Sequence, residues 1–144
     1  MIHLEHPSQE LWENRRNWFE RKAEPPDDGG YQLSEQACAL VADLQCAFCC
    51  GAWIAVIVLA AATIDAHLRG AEGLTGNFKK VIDQAGANPD LHRLRERRNA
   101  LVHLSPASPA ITVDQQWSER AGLEQDARFA VELVFRAFYA NPSV

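Results

Sequence analysis

Apolar residues recur along this chain at helical rather than alternating spacing. Over 8–23, Leu11, Trp12, Arg15, Trp18, Phe19 and Lys22 share one helical face, and Glu13, Arg16, Asn17, Glu20 and Arg21 take the other. Pro25-Pro26-Asp27-Asp28-Gly29-Gly30 then breaks the helix. This pattern predicts an N-terminal helical arm and linker over 1–30 and a main helical domain over 31–144. A second helix opens at Ser34, whose hydroxyl suits an N-cap, and Leu33, Ala37, Leu40, Val41 and Leu44 line its inner face. Gly51 after Cys49-Cys50 marks a turn. A third helix over 52–69 carries the densest stripe, Ile54, Ile57, Val58, Ala61, Ile64 and Leu68, and Gly70 is expected to end it.

A short fourth helix is expected over 78–84, with Phe78, Val81 and Ile82 facing inward. The fifth, over 89–104, starts with Asn88 as N-cap and Pro89 at its first position, and Pro106 stops it. Residues 105–109 read as loop and 111–117 as a short extended segment. The last helix, over 123–140, has a stripe of Leu123, Ala127, Ala130, Val131, Val134 and Phe138, widened by Phe129, Phe135 and Tyr139. The expected fold is all-α: an up-and-down bundle of four to five core helices with an extra N-terminal helix.

Composition narrows this picture. The 144 residues are 47% hydrophobic and 23% charged, which excludes a disordered or fibrous chain. A net charge of -5 argues against coating nucleic acid through bulk positive charge. The stretch from Cys46 to Ile64 is nineteen residues without a charge, long enough for a membrane span. Its Gly51, its many Ala and Thr residues, its three cysteines and its acidic flanks favour a buried core segment instead, so no membrane association is expected. Residues 1–10, with His3, Glu5, His6 and Pro7, form no signal-peptide core, and a cytoplasmic protein is expected. The four cysteines then read as reduced, buried small hydrophobes. Cys46-x2-Cys49-Cys50 has half of a zinc spacing and no second pair, so no metal is expected. His67 and His92 read as surface residues. The glycines at 70, 73 and 76 follow a helix and lack the Lys-Ser/Thr of a phosphate loop.

Helix 89–104 carries the chemistry. Leu91, Leu94, Leu101 and Val102 define its apolar stripe, and Arg98 falls in the middle of it, while Arg93 and Arg97 can point to water. A guanidinium facing a core needs a partner or a cleft, because a buried charge left alone costs about 3–5 kcal/mol. Asp65 is likewise misplaced on the stripe of the third helix, so an Arg98–Asp65 pair is expected. Asn99 and His103 share one edge of the helix beside Arg95. An Arg in a polar cleft with a His nearby suits phosphodiester chemistry: the Arg holds the phosphate and its developing charge, and the His moves protons. The blander reading stays open beside it, in which Arg98–Asp65 is a structural ion pair and His103 a helix C-cap. Between Asp90 and His103 there are four arginines against two acids, so the basic element of an acidic chain coincides with this site.

Arg98-Asn99-Ala100-Leu101-Val102-His103 resembles the Arg-x4–6-His signature, with a polar residue after the Arg, of the HEPN superfamily. Ala37 to Leu44, the Cys50-Gly51-Ala52-Trp53 turn, and the alanine-rich segment ending Ile64-Asp65-Ala66-His67-Leu68-Arg69 resemble that family's first two core helices. Residues 127–139 resemble its closing helix, and the likeness covers roughly 31–141. The resemblance implies a small helical bundle that dimerises and brings two Arg/His motifs to one cleft. It implies a metal-independent endoribonuclease without a cofactor, in which the 2′-hydroxyl attacks the adjacent phosphate and leaves a cyclic phosphate. Carried over, Arg98 and His103 are the catalytic pair, Asn99 orients the site, Asp65 anchors Arg98, and Arg93, Arg95 and Arg97 contact RNA. Such proteins occur as toxins with a nucleotidyltransferase-like or other antitoxin, or in antiviral defence. Others have lost catalysis and serve as binding or dimerisation modules for a protein or RNA partner.

Overall fold

Side-chain caps set where most of the helices begin. Ser8 Oγ accepts from the Leu11 amide and Ser34 Oγ from the Ala37 amide, each at 3.1 Å. Asn77 and Asn88 cap the Lys80 and Asp90 amides at 2.9 Å. Each cap satisfies a donor that the helix cannot, and is worth about 1 kcal/mol. The computed structural model describes residues 6–107 and 109–143. Among them are α1 (Gln9–Ala23), α2 (Glu35–Cys50), α3 (Trp53–Glu72), α4 (Phe78–Gln84), α5 (Pro89–Val102), α6 (Val113–Ser118) and α7 (Arg120–Phe138). The fold is an all-α helical bundle. A two-residue antiparallel pairing, β1 (Gly30–Tyr31) with β2 (Pro142–Ser143), ties the linker to the end of the chain. His3 and the rest of 1–5, Ser108 within the expected loop, and Val144 lie outside the described residues.

The core is built around α3, which packs against α2 and α7 and more lightly against α4 and α5. Val56, Ile57, Ala60, Ala61 and Ile64 are fully buried. Alanines on this face let α2 and α7 approach closely, and the branched side chains fill the space between them. α3 is long and apolar enough to cross a bilayer, and here it is the central helix of the core. The charge-free run is not one helix: Gly51, at φ +75°, ends α2 in the left-handed conformation that glycine tolerates. α1 lies on α2 and α7. Its Phe19 is buried, edge-on to Phe135 at 5.4 Å, and Trp18 stacks on Phe48 at 4.9 Å.

Several expectations need correction. Gly70 does not end the third helix, which continues to Glu72 and is capped by Gly73 at φ +64°. Gly70 serves packing: a Cβ there would lie 2.5 Å from the Ser34 Cβ, so its absence lets the start of α2 rest on α3. Residues 111–117 do not form an extended segment. Thr112 and Gln115 make a reciprocal capping box, which nucleates α6 despite the β-branched Ile111, Thr112 and Val113. The last helix starts at Arg120, not Leu123. Cys38, Cys46 and Cys50 are exposed on the outer side of α2, and only Cys49 is buried, because α2 is covered on its inner side alone. His67 is buried, its ring 4.9 Å from Phe138. His92 is half-buried and bonds Asp83 at 2.8 Å.

Candidate functional site

α5 is anchored by buried Leu91 and Leu94, and this fixes where its arginines emerge. Arg98 turns toward α3 and α4. Its guanidinium lies 5.7 Å from the centre of the Phe78 ring and borders a hollow of about 550 Å³ with Ser34, Gln36, Leu40, Asp65 and Arg69. Among the described residues no carboxylate lies within 4.0 Å of Arg98, and its buried Nε has no hydrogen-bond partner. The expected Arg98–Asp65 ion pair is therefore not formed. Asp65 Oδ1 instead accepts from Arg69 Nε at 2.7 Å. Arg69 is four residues along the same helix, so pairing with it orders fewer independent groups than pairing across helices. Arg98 and Asp65 do both line the hollow, without forming a closed pair.

Asn99 and His103 meet through the backbone: the His103 amide donates to the Asn99 carbonyl at 2.9 Å and closes the helix. His103 has extended backbone geometry (φ −111°, ψ 121°) and lies just past α5 rather than inside it. It is exposed and its imidazole makes no side-chain hydrogen bond among the described residues. Asn99 is half-buried. Arg98 and His103 thus belong to two faces of the α5 end, one toward the hollow and one toward solvent. The chain neighbours of His103 are apolar and exposed, Val102 at 48% and Leu104 at 83%.

The other α5 arginines form less of a basic face than their spacing suggests. Arg93 is exposed and lies over Phe129 at 4.9 Å. Arg95 is largely covered, donating to His92 Nδ1 at 3.4 Å, with Glu96 3.5 Å away. Arg97 does not simply point to water; it pairs with Asp126 of α7 at 3.4 Å. Two of the three expected RNA contacts are therefore already engaged by acids.

A second arginine cluster, which helical spacing does not reveal, surrounds the α2–α3 turn. Arg15 of α1 donates to the Cys49 carbonyl at 3.2 Å, and Arg120 of α7 to the Gly51 carbonyl at 2.6 Å. Both lie near the Trp53 ring, at 4.8 and 5.8 Å, and Arg128 lies 4.6 Å from Trp18. Arg15 and Arg120 satisfy carbonyls at the negative end of α2, while Arg128 pairs with Glu124 at 2.9 Å. Burial lowers the Arg15 pKa; Glu124 opposes this, and neighbouring Arg128 and Arg120 reinforce it. Burial likewise holds His67 below the ordinary histidine range, against smaller opposing effects from the Ala137 backbone and Glu72. Among the described residues no group of three or more His, Cys, Asp or Glu side chains is placed to hold a metal ion.

Compared with models of known families, with characterised proteins and with solved structures, the chain matches none.

Proposed function

We propose that the chain is a HEPN-type, metal-independent endoribonuclease that works as a homodimer, with Arg98 and His103 as its catalytic pair. One observation carries this reading: Arg98 borders an open hollow with no carboxylate within 4.0 Å of it among the described residues, at the helix end that presents an exposed histidine. Leaving a half-buried guanidinium without an ion partner has a cost, and an anionic ligand offsets it. The exposed apolar rim at Val102 and Leu104 supports a second copy as the cover for His103.

In this reaction the 2′-oxygen of RNA attacks the adjacent phosphorus and gives up its proton to a base. The P–O5′ bond breaks, and the leaving oxygen takes a proton. A 2′,3′-cyclic phosphate and a 5′-hydroxyl remain. Arg98 stabilises the charge that grows on the phosphoryl oxygens, and the His103 imidazoles of the dimer move the protons. Asn99 stands beside Arg98 to orient the site. Asp65 acts on the same hollow, through Arg69 rather than by gripping Arg98 directly. A toxin or defence component paired with a nucleotidyltransferase-like antitoxin, in the cytoplasm, is the setting this activity would fit.

The test is RNA incubated with wild type, Arg98→Ala and His103→Ala in the presence of a chelator. Wild type is expected to leave cyclic-phosphate ends, and each variant to lose about 10²-fold or more of the rate. Equal cleavage by all three, or none by wild type, overturns the reading. The latter result favours a second reading, a non-catalytic helical module that binds a protein or RNA partner. Its specific support is that Arg95 and Arg97 are already paired with acids while the helix end beside them is apolar.

A further inference from the structure

We infer that the hollow between the start of α2, α3 and α5 is a phosphate subsite, in which Arg69 joins Arg98 as a second guanidinium on one phosphodiester of RNA. This rests on the RNA reading above and adds to it a residue and a place. The two guanidiniums reach the hollow from different helices, Arg69 from α3 and Arg98 from α5. One carboxylate, Asp65, faces them, so the three side chains carry a net charge of about +1, and an incoming phosphate meets excess positive charge.

The local structure keeps this arrangement open. Asp65 binds Arg69 through Nε, at 2.7 Å, so the two terminal nitrogens of that guanidinium are left for a ligand. The absent side chain at Gly70 lets Ser34 settle against α3, which brings the first turn of α2 and Gln36 to the same rim. Leu40 and Ala62 add apolar walls, which strengthen any charge–charge contact made between them. At about 550 Å³ the hollow has room for a phosphate and part of its sugar. Asp65 is then a brake on affinity, because its charge repels the phosphate.

The experiment is salt-dependent binding of a fluorescent oligouridylate to the full chain and to Arg69→Gln, Arg98→Gln and Asp65→Asn, with NMR of the arginine Nε–H signals during titration with inorganic phosphate. Arg69→Gln and Arg98→Gln are each expected to weaken RNA binding about tenfold or more, as loss of a charge-assisted contact does. Each should make the log–log salt slope shallower by about 0.7, the value for one phosphate contact on a single strand. Asp65→Asn is expected to tighten binding, an outcome that misfolding does not produce. Inorganic phosphate should move the Arg69 and Arg98 signals together. Arg69→Gln binding RNA like wild type while Arg98→Gln weakens overturns the subsite and leaves the RNA reading intact. Weakening by Asp65→Asn also overturns it, and marks Asp65–Arg69 as a structural pair. Phosphate shifts with no RNA binding by wild type overturn RNA as the source of the anion while keeping the anion site.

Discussion

Two groups of arginines divide the work of this molecule differently. Arg93, Arg95, Arg97 and Arg98 are crowded into one turn and a half of α5, yet they point to separate surroundings: Phe129, Glu96, Asp126 and an open hollow. Arg15, Arg120 and Arg128 are far apart in sequence and converge on one place, the aromatic-lined turn between α2 and α3. The contiguous run looks like a binding patch and is half neutralised. The scattered set is invisible as a run and forms the dense cluster. A basic segment therefore says little about a basic surface until partners on neighbouring helices are counted. What singles out Arg98 within α5 is that it borders an open hollow with no carboxylate in ion-pair range, not its company of arginines.

The sharpest way to break this contrast is to remove one member from each group. Arg98→Ala or His103→Ala should lower RNA cleavage by about 10²–10⁴-fold, the usual weight of a positioned catalytic group, while thermal unfolding stays near wild type. Cleavage rates and melting curves on the same preparations check this. A variant that unfolds instead would move Arg98 into the structural group. Arg120→Ala should do the reverse. It leaves the Gly51 carbonyl without its donor and uncovers Trp53, at a cost of about 1.5–3 kcal/mol in denaturant unfolding. Cleavage per folded molecule should be unchanged.

These two outcomes bear on what the chain made legible. Caps and breakers at Ser34, Gly51 and Asn88 mark helix ends because they act within four residues of themselves, and the caps at Ser8 and Asn77 are of the same local kind though they were not read. The capping box at Thr112 and Gln115 was equally local, but the β-branched residues around it pointed to a strand. Gly70 misleads for another reason: a glycine that ends a helix and one that admits a neighbouring helix look alike in sequence. Asp65 was read as a charge out of place on the core stripe; in the fold it is partly exposed, and its partner was misassigned because Asp65-x3-Arg69 is a nearer match than any cross-helix pair. Arg15, Arg120 and Arg128 lay beyond reach altogether, since only the docking of α1 and α7 on the α2–α3 turn brings them together.

A change of pH separates fold from site in another way. His67 is neutral in the fold because burial against Phe138 disfavours its charged form. Its folded pKa lies below the ordinary histidine value of about 6.5, so the unfolded chain binds the proton first. Stability contributed by neutral His67 is thus present above about pH 6.5 and is lost as pH falls from there through the folded pKa. Denaturant unfolding from pH 7.5 down to 5 should show this decline, and His67→Leu should flatten it. An unchanged slope in that variant assigns the acid sensitivity to other groups.

The smallest effects test the neutralised arginines. Arg97 and Asp126 are partly exposed and 3.4 Å apart, so breaking the pair by Asp126→Asn should change stability by no more than about 1 kcal/mol. Its effect on RNA is more telling. With Asp126 neutral, Arg97 is released, and binding should tighten modestly and grow more salt-dependent, as one further phosphate contact requires. Arg97→Gln, by contrast, should bind RNA nearly as wild type does, because its charge is already engaged. If Arg97→Gln instead weakens RNA binding as much as Arg98→Gln, then the contiguous run acts as a patch after all. The distinction between a paired arginine and an unpaired one would then carry no functional weight in this protein.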